Sequence, residues 1–151
     1  MTIKEQIEAD IKQAMLGGDK TLVTTLRGLK SAILYAEVAE GSREEGLGEE
    51  AVITLLQKEA KKRAESADLY KRGGNTEKAV AEEAEKEVIA KYLPEQMDES
   101  ELAEIVKKQA GALSITEVQQ MGQLIGAVKK EAGASADGSV IARLVKEYLN
   151  L

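Results

Sequence analysis

The only proline of the chain, Pro94, lies between two stretches that are both predicted to be helical. Proline cannot donate the helical backbone hydrogen bond, and it disfavours helical geometry in the residue before it. Two interpretations are open: one long helix kinked at Pro94, or a boundary between two helical parts. The acidic N-cap pattern of residues 98–101 is typical of a helix start and favours the boundary. We expect a proline hinge between a domain of residues 1–93 and a domain of residues 94–151.

Seven helices are predicted from apolar residues that recur three or four positions apart. Four precede Pro94 and three follow it, which predicts an all-α, multihelical fold with a four-helix N-terminal domain and a C-terminal three-helix bundle. Thr2, Asp19 and Asp137 are predicted to cap the first, second and last helices, and residues 116–119, from Thr116 to Gln119, are predicted to form a capping box before the sixth. Glycines end several helices, and residues 41–48 form a polar, glycine-rich loop. The residues expected to face the cores are, in chain order, Ile3, Ile7, Ile11, Met15; Leu22, Leu26, Leu29, Ile33, Ala36; Val52, Leu55, Leu56; Ala81, Ala84, Val88 with either Tyr92 or Ile89; Leu102, Ile105, Val106; Val118, Met121, Ile125, Val128; and Val140, Ile141, Leu144, Val145, Tyr148, Leu149.

The composition excludes several kinds of chemistry. The 151 residues include no histidine and no cysteine, so imidazole bases, thiolate nucleophiles, disulfides and the usual zinc sites are excluded. No phosphate-binding glycine motif is present, and we expect no catalytic residue, no metal and no cofactor. No membrane span and no signal-peptide pattern are predicted, which favours a cytoplasmic protein. With 21 basic and 27 acidic residues, tight non-specific binding to nucleic acid is not expected.

The third predicted helix, residues 49–72, carries the densest group of positive charges. Its first part is apolar, and the same side continues as Glu59, Arg63, Ser66 and Tyr70. This polar ribbon predicts either a helix–helix junction with paired groups or a binding surface, and the first interpretation is the more common. The candidate binding residues here are Lys61, Lys62, Arg63, Ser66 and Tyr70.

The sixth predicted helix contains two glycines, Gly122 and Gly126, one turn apart. A glycine in the middle of a helix costs about 1 kcal/mol relative to alanine, so two of them require a reason. Close packing of a neighbouring helix and close approach of a ligand or phosphate backbone are both open. The candidate binding residues around them are Gly122, Gly126, Lys129, Lys130, Asp137 and Gly138.

Four ordered blocks of residues resemble the GatB/YqeY family, and most closely its stand-alone YqeY-like proteins. The blocks are residues 26–33 followed by Glu37, residues 62–66 with Tyr70, Glu85-x-Glu87 leading into residues 92–96, and Met121-Gly122-x-x-x-Gly126 with residues 136–139 and 144–145. Together they span nearly the whole chain. Ile125 and Lys130 depart from the family pattern, which often has methionine at the first position and in some members proline at the second.

The resemblance implies a helical N-terminal domain followed by a three-helix C-terminal domain. In the related B subunit of the glutamine-dependent tRNA amidotransferase, this module is a tail that helps to hold tRNA while the misacylated tRNA is amidated. Neither the catalytic domain nor the amidase subunit has a counterpart here. The family label of carbon–nitrogen ligase with glutamine as amide donor is therefore implied by kinship alone, and we expect no activity from the chain by itself.

Three hypotheses follow. The first is a non-catalytic, tRNA-associated accessory module that acts in or near tRNA-dependent amidation. The second is a protein-interaction adaptor with no RNA role, for a partner in the translation or amidation machinery, with the polar ribbon of the third helix and the glycine groove of the sixth as its surfaces. The third is a component of a carbon–nitrogen ligase complex.

Overall fold

The fold is built from helices, and no strand occurs in the part of the chain that is described. The structure, a computed structural model, describes residues 1–42 and 44–150, with the backbone alone for Ala134. Contacts divide the chain into two compact units, Met1–Leu93 and Pro94–Leu151, which we call the N-terminal and C-terminal units. The prediction of a predominantly helical fold is thus confirmed for the described residues. That the two units are independent domains joined by a proline hinge stays a prediction.

Residues 91–98 around Pro94 are not α-helical, so the alternative of one kinked helix is wrong. The residues on either side of the proline belong to different cores. Tyr92 and Leu93 pack on the apolar core of the N-terminal unit, whereas Met97 packs on that of the C-terminal unit. The backbone N–H of Met97 also donates a 2.8 Å hydrogen bond to the carbonyl oxygen of Ser135.

The N-terminal unit contains four helices, α1 (Ile3–Leu16), α2 (Lys20–Ala39), α3 (Glu49–Arg72) and α4 (Thr76–Ala90). Side-chain caps begin three of them. Thr2 forms a capping box with Glu5, and Asp19 and Asn75 accept hydrogen bonds from backbone N–H groups of the following turns. These caps satisfy N–H groups that have no partner inside the helix, which confirms the predicted helix starts at Thr2 and Asp19.

The core of the N-terminal unit is aliphatic. Its buried members are Ile3, Ile7, Ile11, Leu26, Leu29, Ile33, Val52, Leu56 and Ile89, most of which the helical spacing predicts. Met15 was expected in this stripe but is 54% exposed, and Ala14 is buried instead. Along α4 the prediction holds for Val88, Ile89 and Tyr92, which contact the core, and is wrong for Ala81 and Ala84, which are exposed, while Ala79 is buried. The glutamates Glu83 and Glu85 of α4 pair with Lys71 and Arg63 of α3.

A buried carboxylate, Glu37, ties the loop between α2 and α3 to the helices. Glu37 is fully buried, and the Nζ of Lys4 donates to its two oxygens at 2.9 and 3.2 Å. The N–H of Leu47 donates to the same carboxylate at 3.0 Å, and the N–H of Ser42 donates to the Glu37 carbonyl oxygen at 2.9 Å. A Cβ on Gly46, whose φ is +78°, would lie 2.9 Å from Glu37 Oε2, so glycine is required there. Arg43 of the predicted loop lies outside the described residues.

The charge of Glu37 is stabilised where it is buried. The hydrogen bond from Lys4 holds the pKa of this carboxyl below its ordinary value of 4.5; burial acts in the opposite direction, and the bond from Leu47 adds to the lowering. Burying a carboxylate without partners would raise its pKa instead. The donors therefore outweigh the loss of water, and Glu37 is ionised in the folded protein at neutral pH.

The C-terminal unit contains α5 (Glu99–Ala112), α6 (Met121–Ala132) and α7 (Gly138–Tyr148), with 3₁₀ turns at Val118–Gln120 and Gly133–Ser135. Asp98 and Asp137 cap α5 and α7 as predicted, and Gly133 follows the end of α6. The buried core comprises Leu102, Val106, Ala110, Ile115, Leu124, Val128, Ala132, Ile141, Leu144 and Val145.

Two predictions for the start of α6 are wrong. Val118 was expected in the core stripe but is 48% exposed, and Leu124 is fully buried in its place. Val118 belongs to a 3₁₀ turn, whose tighter winding takes it out of phase with the α-helix that follows. The predicted capping pattern is also displaced by one residue: Gln120, rather than Gln119, accepts from the N–H groups of Thr116 and Glu117 at 3.2 and 3.4 Å.

We predict that Glu37→Gln, which keeps the side-chain size and removes the charge, lowers the free energy of unfolding by about 1–2 kcal/mol at pH 7, because Lys4 loses its charged acceptor. The folded-state pKa is lowered, so the charge stabilises the fold above the unfolded pKa, and this contribution is lost as pH falls below about 4.5 through the folded-state value. Urea denaturation followed by circular dichroism from pH 7 to pH 3 should show the difference from wild type shrinking.

The matched control is Glu8→Gln, because Glu8 forms an ion pair with Lys30 at 3.2 Å in which both side chains are more than two-fifths exposed. Exposed pairs contribute about 0–1 kcal/mol, so we expect a smaller change that stays within about 0.5 kcal/mol. Equal effects of the two substitutions, or a difference for Glu37→Gln that persists undiminished at pH 3, would contradict the assignment.

Candidate functional site

The predicted site residues form two groups, one in each unit. The first group lies on α3 and the second on α6 and at the start of α7. The two groups belong to different units, and their side chains differ in what they contact.

In the first group, Arg63 is bound within the α3–α4 hairpin. Its guanidinium pairs with Glu59 one turn earlier and, at 3.4 Å, with Glu85 of α4. The side chain of Glu59 is only 12% exposed. Burial opposes its ionisation, but the hydrogen bonds from Arg63 and Lys62 outweigh burial and hold the pKa of Glu59 below its ordinary range. Arg63 thus neutralises a partly buried carboxylate, which is a structural role.

Tyr70 and Ser66 continue the same side of α3 and are partly buried. The Nζ of Lys78 on α4 lies 5.6 Å from the centroid of the Tyr70 ring, within the range of a cation–π interaction. The next residue of α3, Lys71, pairs with Glu83 across the hairpin. These contacts support the interpretation of the polar ribbon as a helix–helix junction with paired groups.

The two remaining lysines of the first group project into solvent. Lys62 pairs with Glu59 at 3.2 Å, while Lys61 has no ion-pair partner among residues 1–42 and 44–150. Lys58, one turn before Lys62, is also exposed. Several cations of the predicted positive patch are paired within the hairpin. What remains is a few exposed ammonium groups next to paired glutamates.

In the second group, the glycines of α6 face away from the core. At 100° per residue, Gly122, Gly126 and Lys129 share one side of the helix, whereas the buried Leu124 and Val128 lie on another. Both glycines are exposed, and a Cβ built on either would meet nothing within 4 Å. Packing of a neighbouring helix of the described chain is therefore excluded as the reason for these glycines.

Lys129 connects this glycine face with the start of α7. Its Nζ lies 3.2 Å from the position that a Cβ on Gly138 would occupy, and its Cε lies 3.1 Å from that position. A side chain at Gly138 would therefore push the lysine aside. The structure thus brings Lys129 and Gly138 together, which the sequence could not show. Lys130, the next residue of α6, is exposed.

Positive and negative groups both lie near the start of α7. The ammonium of Lys129 and the amino end of α7 both favour an anion. Asp137, however, holds a carboxylate at the same helix start, where its Oδ1 accepts from the N–H and the hydroxyl of Ser139 at 2.8 Å each. The positive charge here is therefore that of Lys129 next to Gly138, beside a helix start that already holds a carboxylate.

Other cations of the C-terminal unit are neutralised locally. Lys108 pairs with Glu131, and Arg143 pairs with Glu99 and, at 3.1 Å, with Glu147. The lysines for which no ion pair occurs among the described residues are Lys107, Lys129, Lys130 and Lys146. Two of these four lysines, Lys129 and Lys130, are consecutive and lie at the glycine face, so unpaired positive charge is concentrated there.

Two further features limit the chemistry of the described chain. No group of three or more Asp or Glu side chains comes together as metal ligands would. None of the helices combines the length and the apolar character that crossing a bilayer requires, as far as residues 1–42 and 44–150 are concerned.

Two features of α2 were not predicted as functional. Glu37 lies one turn after Ile33, on the side of α2 that faces the core. An acidic residue at a position where the helical spacing predicts an apolar one was the sign in the sequence. On the opposite side, Leu34, Tyr35 and Val38 are large, apolar and exposed. The sign in the sequence was a run of consecutive apolar residues, which covers more of the helix surface than a single core-facing stripe does.

Comparison with protein families matches residues 4–149 to the family described as Yqey-like protein. A search of curated proteins found no match. All of the candidate residues of both groups, from Lys61 to Gly138, fall inside the matched range. The family comparison and the four blocks of sequence therefore describe the same stretch of chain.

We predict opposite outcomes for two neighbouring cations of α3. Arg63→Ala should lower the free energy of unfolding by about 1–2 kcal/mol, because it leaves the partly buried Glu59 without its closest partner. Lys61→Ala should change it by less than about 0.5 kcal/mol, since Lys61 is exposed. Urea denaturation monitored at 222 nm measures both. Similar losses for the two variants would show that Arg63 has no special structural role.

Proposed function

We propose, from the premise that the chain belongs to the YqeY-like protein family, that it is a non-catalytic accessory module that binds tRNA, in or near tRNA-dependent amidation. The proposed contact surface is the glycine face of α6, defined as Gly122, Gly126, Lys129 and Lys130, together with Gly138 at the start of α7. The family's kinship with the tail of the amidotransferase B subunit supports tRNA as the ligand.

The observation that carries the proposal is the pair of exposed glycines. Gly126 lies in the interior of α6, where glycine costs about 1 kcal/mol relative to alanine, and Gly122 lies in the first turn of the helix. No contact inside the described chain accounts for either glycine. A bare helix surface lets another backbone come close. Flanking lysines supply the charge that phosphate oxygens require, so a sugar–phosphate backbone fits this surface better than an apolar helix does.

The overall charge sets the strength of the proposed interaction. The chain has a formal charge of −6, so most of its surface repels RNA, and only the local lysines attract it. If Lys129 and Lys130 neutralise two phosphates, affinity should fall roughly tenfold between about 50 and 200 mM salt. We therefore expect weak, salt-sensitive binding that depends on the shape of the folded RNA rather than on base sequence.

The third hypothesis, a component of a carbon–nitrogen ligase complex, is compatible with this role. Without histidine or cysteine, the chain would contribute positioning of the RNA and not the reacting groups. An amidation assay with the purified chain, glutamine, ATP and misacylated tRNA should give no turnover. The adaptor hypothesis, with its surfaces on α3 and α6 and no RNA role, stays a prediction.

We predict that total tRNA at low salt is retarded by the protein in an electrophoretic mobility shift, and that Lys129→Glu/Lys130→Glu weakens this binding at least tenfold. The matched control is Lys107→Glu/Lys146→Glu, which makes the same change of charge at exposed lysines of the same unit. That control should weaken binding less than about threefold. No retardation at high protein concentration, or equal losses for the two double variants, would refute a tRNA site on this face.

We predict that Gly122→Ala/Gly126→Ala separates stability from binding. Alanine meets nothing within 4 Å at either position, so thermal stability should rise, by up to about 1 kcal/mol per site. The added methyl groups should at the same time weaken tRNA binding several-fold by holding the RNA backbone away. A variant that is more stable and binds tRNA as well as the wild type would show that these glycines serve no RNA contact.

A further inference from the structure

The outward side of α2 carries three adjacent exposed apolar residues, Leu34, Tyr35 and Val38, which we call the α2 apolar face. Their exposed fractions are 42%, 79% and 55%. Leu34 and Val38 are four residues apart, and Tyr35 and Val38 are three apart, so all three are neighbours on the helix surface. Isolated exposed apolar residues are common, but a contiguous group of them marks an interaction surface.

The packing of the N-terminal unit does not account for this face. The opposite side of α2 supplies Leu26, Leu29 and Ile33 to the core, all of which are essentially inaccessible to solvent. The helix has therefore buried one complete apolar stripe already. Leaving an aromatic ring and two aliphatic side chains in water costs solvation free energy that a polar helix surface would avoid.

Negative charge begins where the α2 apolar face ends. The last turn of α2 contains no basic residue, and Glu40 is its C-cap. The carbonyl end of a helix is itself negative, so Glu40 adds to the negative potential there. Val38 and Glu40 line one shallow depression together with Glu44 and Glu45. Glu40 also borders a second groove with Leu47, Glu50 and Lys58.

The sequence around the depression is strongly acidic. Residues 40–50 contain five glutamates and one arginine. An apolar patch that continues into an acidic rim is complementary to a helix with apolar residues on one side and lysine or arginine beside them. An RNA is not complementary to it, because the glutamates would repel phosphates.

We propose that the α2 apolar face and the acidic rim of Glu40, Glu44 and Glu45 form a docking surface for a basic amphipathic helix of a partner protein. The apolar residues of that helix cover Leu34, Tyr35 and Val38, and its cations pair with the glutamates. This surface lies in the N-terminal unit and is independent of the tRNA site proposed on α6.

The test uses two fluorescein-labelled, 18-residue designed peptides that share the same leucine positions on one helix face. One carries lysine and the other glutamate at all remaining positions. Fluorescence anisotropy with the full chain should show that the lysine peptide binds and the glutamate peptide does not. Binding of the lysine peptide should weaken as salt is added, since exposed ion pairs are screened.

Two kinds of variant locate the binding surface. Tyr35→Ala/Val38→Ser removes apolar contacts, and Glu40→Gln/Glu44→Gln/Glu45→Gln removes charge while leaving the apolar face intact. We expect each to weaken the lysine peptide at least tenfold. All five positions are exposed, so circular dichroism should show an unchanged fold. The control Leu69→Ser/Val80→Ser changes two other exposed apolar residues and should alter affinity less than twofold.

Several outcomes would overturn the proposal. Equal binding of both peptides would show that charge does not select the partner. Undiminished binding to both the apolar and the charge variants would place the peptide elsewhere. Loss of tRNA retardation in the Tyr35→Ala/Val38→Ser variant would indicate that the surface binds RNA. Self-association in sedimentation velocity that Tyr35→Ala/Val38→Ser abolishes would identify a second copy of the chain as the occupant.

Discussion

Burial of aliphatic side chains at helical spacing holds each unit together. The chain has no cysteine, tryptophan or phenylalanine, so disulfides and large aromatic anchors are not available to it. Each buried leucine, isoleucine or valine contributes about 1.5–3 kcal/mol, whereas an exposed ion pair contributes about 0–1 kcal/mol. The aliphatic cores therefore dominate stability, and the many surface ion pairs set how the helices are rotated and where their loops lie.

Electrostatics decides the local arrangement at two places where it is protected from water. Glu37 is buried and collects donors from Lys4 and Leu47, which fixes the loop that leads from α2 into α3. Arg63 joins Glu59 and Glu85 across the α3–α4 hairpin. In both cases hydrogen-bond donors keep a carboxylate ionised although burial opposes its charge. Removing one partner therefore leaves the other group charged and without its partner, which lowers stability.

The two surfaces that we connect with function are places where the chain departs from what stability alone favours. On α6, two exposed glycines, one in the first turn and one in the interior of the helix, have nothing against them. On α2, three apolar side chains remain in water after the core stripe is complete. One surface is bare and flanked by lysines, and the other is apolar and flanked by glutamates. Their opposite charges suit different classes of partner, an RNA and a basic protein helix.

The sequence by itself determined the helical class, the number and approximate bounds of the α-helices, the caps at Thr2, Asp19, Asp98 and Asp137, and most of both cores, because these depend on interactions between residues near in sequence. Only the tertiary structure decided the exposure of Ala81, Ala84 and Val118, the burial of Glu37 and the meeting of Lys129 with Gly138. The tertiary structure also showed that Arg63 pairs with glutamates of the α3–α4 hairpin, whereas Lys61 does not. The reason is that these features depend on which helix faces which, and periodicity along one helix does not specify its neighbours.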